Sequence, residues 1–193
     1  MFSRRLTLAL FFVGLPAFAG SAPGINNFDK VDTHVYRGGQ PTDEGFRYLA
    51  KLGVKTVIDL READDRSRAE ERTVSAAGMK YVNVPMTGFT PPTEAEISKI
   101  LSFLEDGNSG PVFVHCRRGA DRTGAVIAAY HIDHDQWDNE HALRDAKAHS
   151  MSMFQLPRMA YIRQFKARTA VADGAAAPPA AAAPATTPAA VRN

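Results

Sequence analysis

The run Val112-Phe113-Val114 behind Pro111 is broken by His115-Cys116, and Val126, Ile127 and Tyr130 then recur at helical spacing from Thr123 onward. No other stretch constrains the fold of this chain as strongly. An apolar run so short and so rich in β-branched residues reads as a buried strand that stops at His115. The periodic segment reads as a helix packed by one face. The chain must therefore pass from strand to helix through Cys116 to Arg122. A loop of that length can turn several N–H groups inward, and the helix adds its own unpaired donors and the positive end of its dipole. Such a concavity binds anions.

The side chains in the loop fit that reading. Gly119 sits where a Cβ would obstruct a tight turn or a close ligand. Arg122 offers a planar fork matched to two phosphoryl oxygens, which lysine cannot reproduce. Cys116, the only cysteine in 193 residues, lies inside the ring, where N–H dipoles and the guanidinium favour thiolate over thiol and make it a nucleophile at neutral pH. A lone cysteine after an apolar strand is commonly core filler, but filler does not explain Gly119, Arg122 and Thr123 at these offsets.

The segment His115-Cys116-Arg117-Arg118-Gly119-Ala120-Asp121-Arg122-Thr123 matches the HC-x5-R-[ST] signature and resembles the cysteine-dependent protein tyrosine and dual-specificity phosphatases. Tyr36-Arg37-Gly38-Gly39-Gln40-Pro41 and Val57-Ile58-Asp59-Leu60-Arg61 extend the likeness to the compact bacterial, plant and fungal atypical dual-specificity enzymes, from about Phe28 to Ala167. The resemblance implies that Cys116 attacks phosphorus and that Arg122 holds the phosphoryl oxygens. Thr123 would donate to the thiolate and help the phosphocysteine break down, and His115 would orient the loop. Residues Arg117, Arg118, Gly119, Ala120, Asp121 and Arg122 would bind the substrate phosphate, with no cofactor and no metal.

Short strands alternating with helical segments imply an α/β domain with a mostly parallel central sheet flanked by helices. Strands are expected at Val31–Arg37, Val54–Leu60 and Met79–Val84, ahead of the one at Val112. Thr42 is placed to cap a helix ending near Gly53, and Thr93 with Glu96 forms a capping box for a helix carrying Ile97, Ile100, Leu101 and Leu104. The charged stretch from Glu62 to Arg72 reads as a solvated loop leading into a surface helix. Further helices are expected over 139–148 and from Pro157 through Phe165. Function belongs at the strand C-termini, where Cys116 lies.

The ends of the chain differ in kind. Arg4 and Arg5, the apolar run Leu6–Phe18 and the pattern Ala17-Phe18-Ala19 read as a signal peptide over 1–19. The run is shorter than the about 20 residues of a spanning helix, so cleavage and export, periplasmic or secreted, are expected without a stable membrane span. A flexible leader is expected over 20–27, a phosphatase domain over 28–169 and an Ala/Pro-rich disordered tail over 170–193. Without Arg4 and Arg5 the 23 basic residues fall to 21, against 21 acidic ones. No global polycation steers the protein to nucleic acid or anionic lipid, so attraction for phosphate is local to the loop.

The histidines His131, His134, His141 and His149 form no convincing ligand set. Breaking an ester also calls for a proton on the leaving oxygen. The related enzymes place an aspartate on a mobile loop, whereas Val84 to Pro92 carries no carboxylate. Asp121 is the first substitute, as proposed for myotubularin-like relatives, against a structural role in which it pairs with Arg118 or accepts backbone N–H groups. Asp59, Glu62, Asp64 and Asp65 are further candidates. Arg117 and Arg118 at the rim suit a polyanionic substrate such as an inositol phosphate or phosphoinositide, against a reading in which a rim arginine faces solvent or pairs with an acidic surface residue; a phosphorylated protein is the other candidate substrate. Two other readings stand beside this one: a phosphate-binding module on a degenerate fold, and a rhodanese-type sulfurtransferase. The loops of the latter are typically one residue shorter between Cys and Arg.

Overall fold

A computed structural model describes residues 22–108 and 110–168. The signal segment expected over 1–19 and the tail expected over 170–193 lie outside the described residues. In chain order the elements are β1 (Asp29–Lys30), β2 (Val35–Gly38), α1 (Asp43–Lys51), β3 (Thr56–Asp59), α2 (Asp65–Ala76), β4 (Lys80–Asn83), α3 (Glu94–Leu104), β5 (Val112–His115), α4 (Asp121–Asp133), α5 (Asn139–Ala148) and α6 (Leu156–Gln164). The sheet runs β1-β2-β5-β3-β4, with β2, β5, β3 and β4 mutually parallel and β1 antiparallel at the edge. The α/β class with a mostly parallel sheet is thus the observed one.

Both faces of the sheet are covered at its centre, where β2, β3 and β5 are buried at every position, while β1 and β4 at the edges are not. Val35, Ile58, Val112 and Val114 face α3 and α4 through Ile97, Ile100, Leu101, Val126 and Ile127. The alternate residues Tyr36, Val57 and Phe113 face α1 and α2 through Phe46, Leu49 and Val74. On its far side α4 packs on α5 and α6 through Ala125, Ala128, Leu143, Ala146 and Ile162. Lying between two layers, α4 is buried along nearly its whole length and cannot shift without disturbing both.

The expected caps are present. Thr42 accepts from the Gly45 N–H, and Thr93 and Glu96 form the reciprocal box. Such caps are worth about 1 kcal/mol each. The strand expected over Val31–Arg37 is instead a hairpin, because Asp32 Oδ1 accepts from the N–H groups of His34 (2.6 Å) and Val35 (2.7 Å) and folds the chain back on itself.

The leader expected to be flexible is packed over its described part. Ala22 and Ile25 are buried, Gly24 O accepts from the Thr42 N–H (2.9 Å) and Asn26 O from the Gly39 N–H (2.7 Å). Two apolar side chains and a pair of backbone bonds offset the ordering cost that its Gly, Ser and Pro content suggested would prevail.

Candidate active site

The parallel register aligns Gly38, His115 and Asp59 at the C-terminal edge of the sheet. The chain leaves β5 there and reaches α4, which begins at Asp121, two residues before the periodicity suggested. Arg122 and Thr123 therefore stand in its first turn. Ala120 at the N-cap makes no side-chain cap bond, so no residue of the chain's own occupies that role at the anion-facing end.

Gly119 has φ +68°, and a Cβ there would lie 2.3 Å from Gly38 C and 2.5 Å from Gly39 N. Both the left-handed backbone and the approach of the Gly38-Gly39 turn require glycine. The loop carbonyls turn outward and find donors there. Gly119 O accepts from Asn27 Nδ2 (2.9 Å) and Arg37 Nη2 (3.2 Å), and Arg117 O accepts from the Gln40 N–H (3.3 Å). Satisfying the carbonyls from outside helps keep the N–H edges for the inside of the ring.

Cys116 is 3% exposed and lies at the wall of a cavity of about 250 Å³, lined also by Gly88, Phe89, Arg117, Arg118, Asp121, Arg122 and Gln155. Burial alone would raise its pKa. The Thr123 hydroxyl, the backbone N–H groups of Thr123 and Arg118 and the charge of Arg122 outweigh that and lower it. Arg122 Nη1 donates to Met86 O (3.0 Å), Leu60 O (3.3 Å) and Glu62 Oε2 (3.1 Å). Those three bonds use one end of the fork, leaving Nη2 and Nε as donors for a pair of oxygens.

Two site residues had no sequence signal. Arg158, fully buried on α6, donates to Thr87 O (2.6 Å) and Gly88 O (2.6 Å), and Gln155 Nε2 donates to Gly88 O (3.2 Å). They pin the 84–92 loop against the cavity, and burial together with neighbouring Arg122 lowers the Arg158 pKa.

The candidate acids separate clearly. Asp121 lines the cavity, but Oδ2 pairs with Arg118 and Oδ1 accepts from the Ser152 N–H (2.8 Å), which is the structural role weighed against acid chemistry. Asp59 is sealed beneath Arg61 and Tyr81. Asp64 caps α2 and is held down to about 2, chiefly by its hydrogen bond from Arg66, and Asp65 pairs with Arg68. Glu62 reaches Arg122 from a half-exposed position.

His115 points to the opposite face from Cys116. Its Nε2 lies 2.7 Å from Glu70 Oε1 and 3.9 Å from Asp59 Oδ1, and Arg61 Nη2 bridges both carboxylates at 2.5 and 2.8 Å. Burial would depress His115, but the Glu70 hydrogen bond and the two negative charges raise it. Its link to the loop is indirect: Glu70 Oε2 holds Gln40 Nε2 (2.7 Å), and the Gln40 backbone holds Arg117 O. Asp59, Glu70 and His115 have metal-ligand proximity among the described residues, but the Arg61 guanidinium already supplies their cation. The other histidines take part in stacks and ion pairs. His131 and His141 sandwich Trp137 at 3.9 Å each, His134 stacks on Tyr130, and His149 pairs with Asp29 and Asp145.

Residues 19–164 match the family PTP-NADK, described as DSP-PTPase phosphatase fused to NAD+ kinase. The dual specificity protein phosphatase TpbA of Pseudomonas aeruginosa (strain UCBPP-PA14) is 30% identical over 131 residues, 67% of this chain and 57% of that protein. A P. aeruginosa TpbA crystal structure has TM-score 0.61 at 25% identity, covering 74% of this chain and 91% of the other, and a second TpbA structure holds pTyr. The probable NAD kinase 2, chloroplastic, of Oryza sativa subsp. japonica is 28% identical over 125 residues, 63% of this chain but 13% of that protein. The chain thus spans only part of these curated relatives. The catalytic domain of the PP-IP phosphatase SIW14 from S. cerevisiae shares the fold, with TM-score 0.66 at 21% identity over 73% of this chain and 86% of the other. With its loop geometry, its sheet and the match over 19–164 in agreement, the chain belongs to this family of DSP-PTPase phosphatases.

Proposed function

We propose that the protein hydrolyses phosphomonoesters or terminal phosphoanhydrides in two steps through a phosphocysteine, without a metal. The observation that carries this is the Cys116 thiol in its ring of donors at the wall of an open cavity lined by arginines, with its pKa lowered in spite of burial. In the first step Sγ bonds to phosphorus and the P–O bond to the leaving group breaks. In the second, water attacks phosphorus, the P–S bond breaks, and inorganic phosphate departs as the Thr123 hydroxyl donates to the regenerated thiolate. Arg122 and the loop N–H groups hold the equatorial oxygens throughout.

With both Asp121 oxygens engaged, the site favours leaving groups that need little protonation. Aryl phosphates such as phosphotyrosine, and phosphoanhydrides such as those of inositol diphosphates, meet that condition better than phosphoserine, phosphothreonine or simple inositol monophosphates. TpbA, which binds pTyr, and SIW14, a PP-IP phosphatase, stand as relatives at these two ends. The basic start and apolar run of residues 1–19 support action outside the cytosol.

Phosphate release from a panel of phosphopeptides, inositol phosphates and inositol diphosphates, with and without chelator, tests the proposal. Turnover that survives chelator and disappears in Cys116→Ser is the expected result. Turnover abolished by chelator would contradict it. A biological role that survives Cys116→Ser would point to a binding module instead.

A further inference from the structure

Among the described residues, the large apolar side chains that remain exposed are Phe89 (71%), Met153 (74%), Phe154 (78%) and Leu156 (67%). They do not scatter as surface apolar residues ordinarily do. Phe89 belongs to the loop that lines the cavity, and the other three follow Ser152, whose N–H is bound to Asp121. Gln155, between Phe154 and Leu156, and Arg158, one turn on, both donate to Gly88 O, so the two segments are laced together beside one opening. Arg117 and Arg118 stand exposed on the same rim.

We propose that this rim seats the protein on an anionic bilayer with the cavity mouth toward the headgroups. Side chains exposed by two-thirds or more project from the surface around the cavity. Projecting apolar residues flanked by arginine suit an interface where acyl chains lie just below anionic headgroups. Charge complementarity favours the bilayer: Arg117 and Arg118 stand exposed at the opening, and Asp121, paired with Arg118, answers only one of them. The attraction is local, in keeping with a chain of nearly balanced net charge. The surface stands independently of the chemistry proposed for Cys116.

The test is co-sedimentation of the full chain with vesicles of phosphatidylglycerol and phosphatidylcholine, and with phosphatidylcholine alone, comparing the parent with a Met153→Ser/Phe154→Ser double variant. Neither substituted residue lines the cavity. The parent should bind the anionic vesicles preferentially, and the double variant should bind them about tenfold more weakly, as expected for withdrawing two apolar side chains from an interface. Its release of phosphate from a soluble aryl phosphate should be unchanged. Because the N-terminal apolar run is common to both proteins, Phe154→Trp gives a local readout: its fluorescence should be quenched by brominated lipid beyond that of Trp137 in the parent. Equal vesicle binding by parent and double variant would overturn the proposal, as would an unquenched Phe154→Trp. A double variant that keeps vesicle binding but loses activity on a phosphotyrosyl peptide would assign the rim to a protein partner instead. Vesicle binding needs no turnover, so Cys116→Ser should bind like the parent, and this proposal and the phosphatase reading can fail separately.

Discussion

Two clusters of charge lie at the same edge of the sheet, one on each face, and they are built in opposite ways. Asp59, Glu70, Arg61 and His115 form a cluster in which each charge has a partner, with Asp59 and His115 fully buried. On the other face Cys116, Arg122, Arg118 and Arg158 line or back an open cavity, where Asp121 and Glu62 answer only part of the positive charge. A neutralised, sealed network holds a structure in register. An under-neutralised ring of donors around a nucleophile awaits an anion. Residue types alone do not separate the two clusters; the distribution of partners does.

The sharpest way to break the comparison is to remove the nucleophile. Cys116→Ser should lower turnover by at least about a thousandfold while vanadate or phosphate affinity, read by calorimetry, stays near that of the parent. Loss of affinity in parallel would mean that the sulfur shapes the ring. On the sealed side, Glu70→Ala should cost about 3–5 kcal/mol of unfolding free energy, because His115 and Arg61 lose a buried partner. Urea titration measures this, and a cost within experimental error would mean that the cluster is not a structural keystone.

Arg37 joins the two designs. It is buried, with its pKa pulled down to about 10 by burial against the charges of Asp145, Asp29 and Cys116, and it donates to Gly119 O behind the loop. Arg37→Ala should lower kcat/KM by roughly ten- to a hundredfold and raise the pH at which Cys116 is alkylated, as expected when a buried charge-assisted hydrogen bond is lost. An unchanged alkylation profile would reduce Arg37 to packing.

The smallest effect is pH dependence. The folded pKa of His115 is raised, so its contribution to stability is complete below the unfolded value near 6.5 and is lost as pH rises through the folded one. The folded pKa of Cys116 is lowered, so its contribution is present above the unfolded thiol pKa and is lost as pH falls through the folded value. Melting temperature across pH should therefore lose the His115 contribution on the alkaline side. His115→Gln should remove that part of the profile, and a profile unchanged by the substitution would contradict the assignment.

The strand, loop and helix around Cys116 were legible because their signals are local: a β-branched run, Gly119, Arg122 and helical spacing follow one another within about two dozen residues. Asn27, Arg37 and Gln40 were not, since their donor roles arise only when β2 pairs with β5 and brings residues some 80 to 90 positions apart into contact. Arg158 on the last helix and Gln155 at its N-cap hold the Gly88 loop beside the cavity across a separation as long, and were hidden for the same reason. Glu70 sat in a stretch expected to be solvated, although Ser67, Glu70 and Val74 recur at helical spacing and mark the buried stripe of α2. Charge density concealed that stripe.

The central claim is that the Cys116 sulfur takes the phosphoryl group. Rapid acid quench of the full chain turning over an aryl phosphate, followed by mass spectrometry of the peptide bearing Cys116, tests it most directly. A phosphoryl adduct on that peptide, absent in Cys116→Ser and accumulating in Thr123→Ala, is the predicted result. Phosphate release with no adduct on Cys116 at any quench time, while Cys116→Ser keeps its activity, would contradict the account.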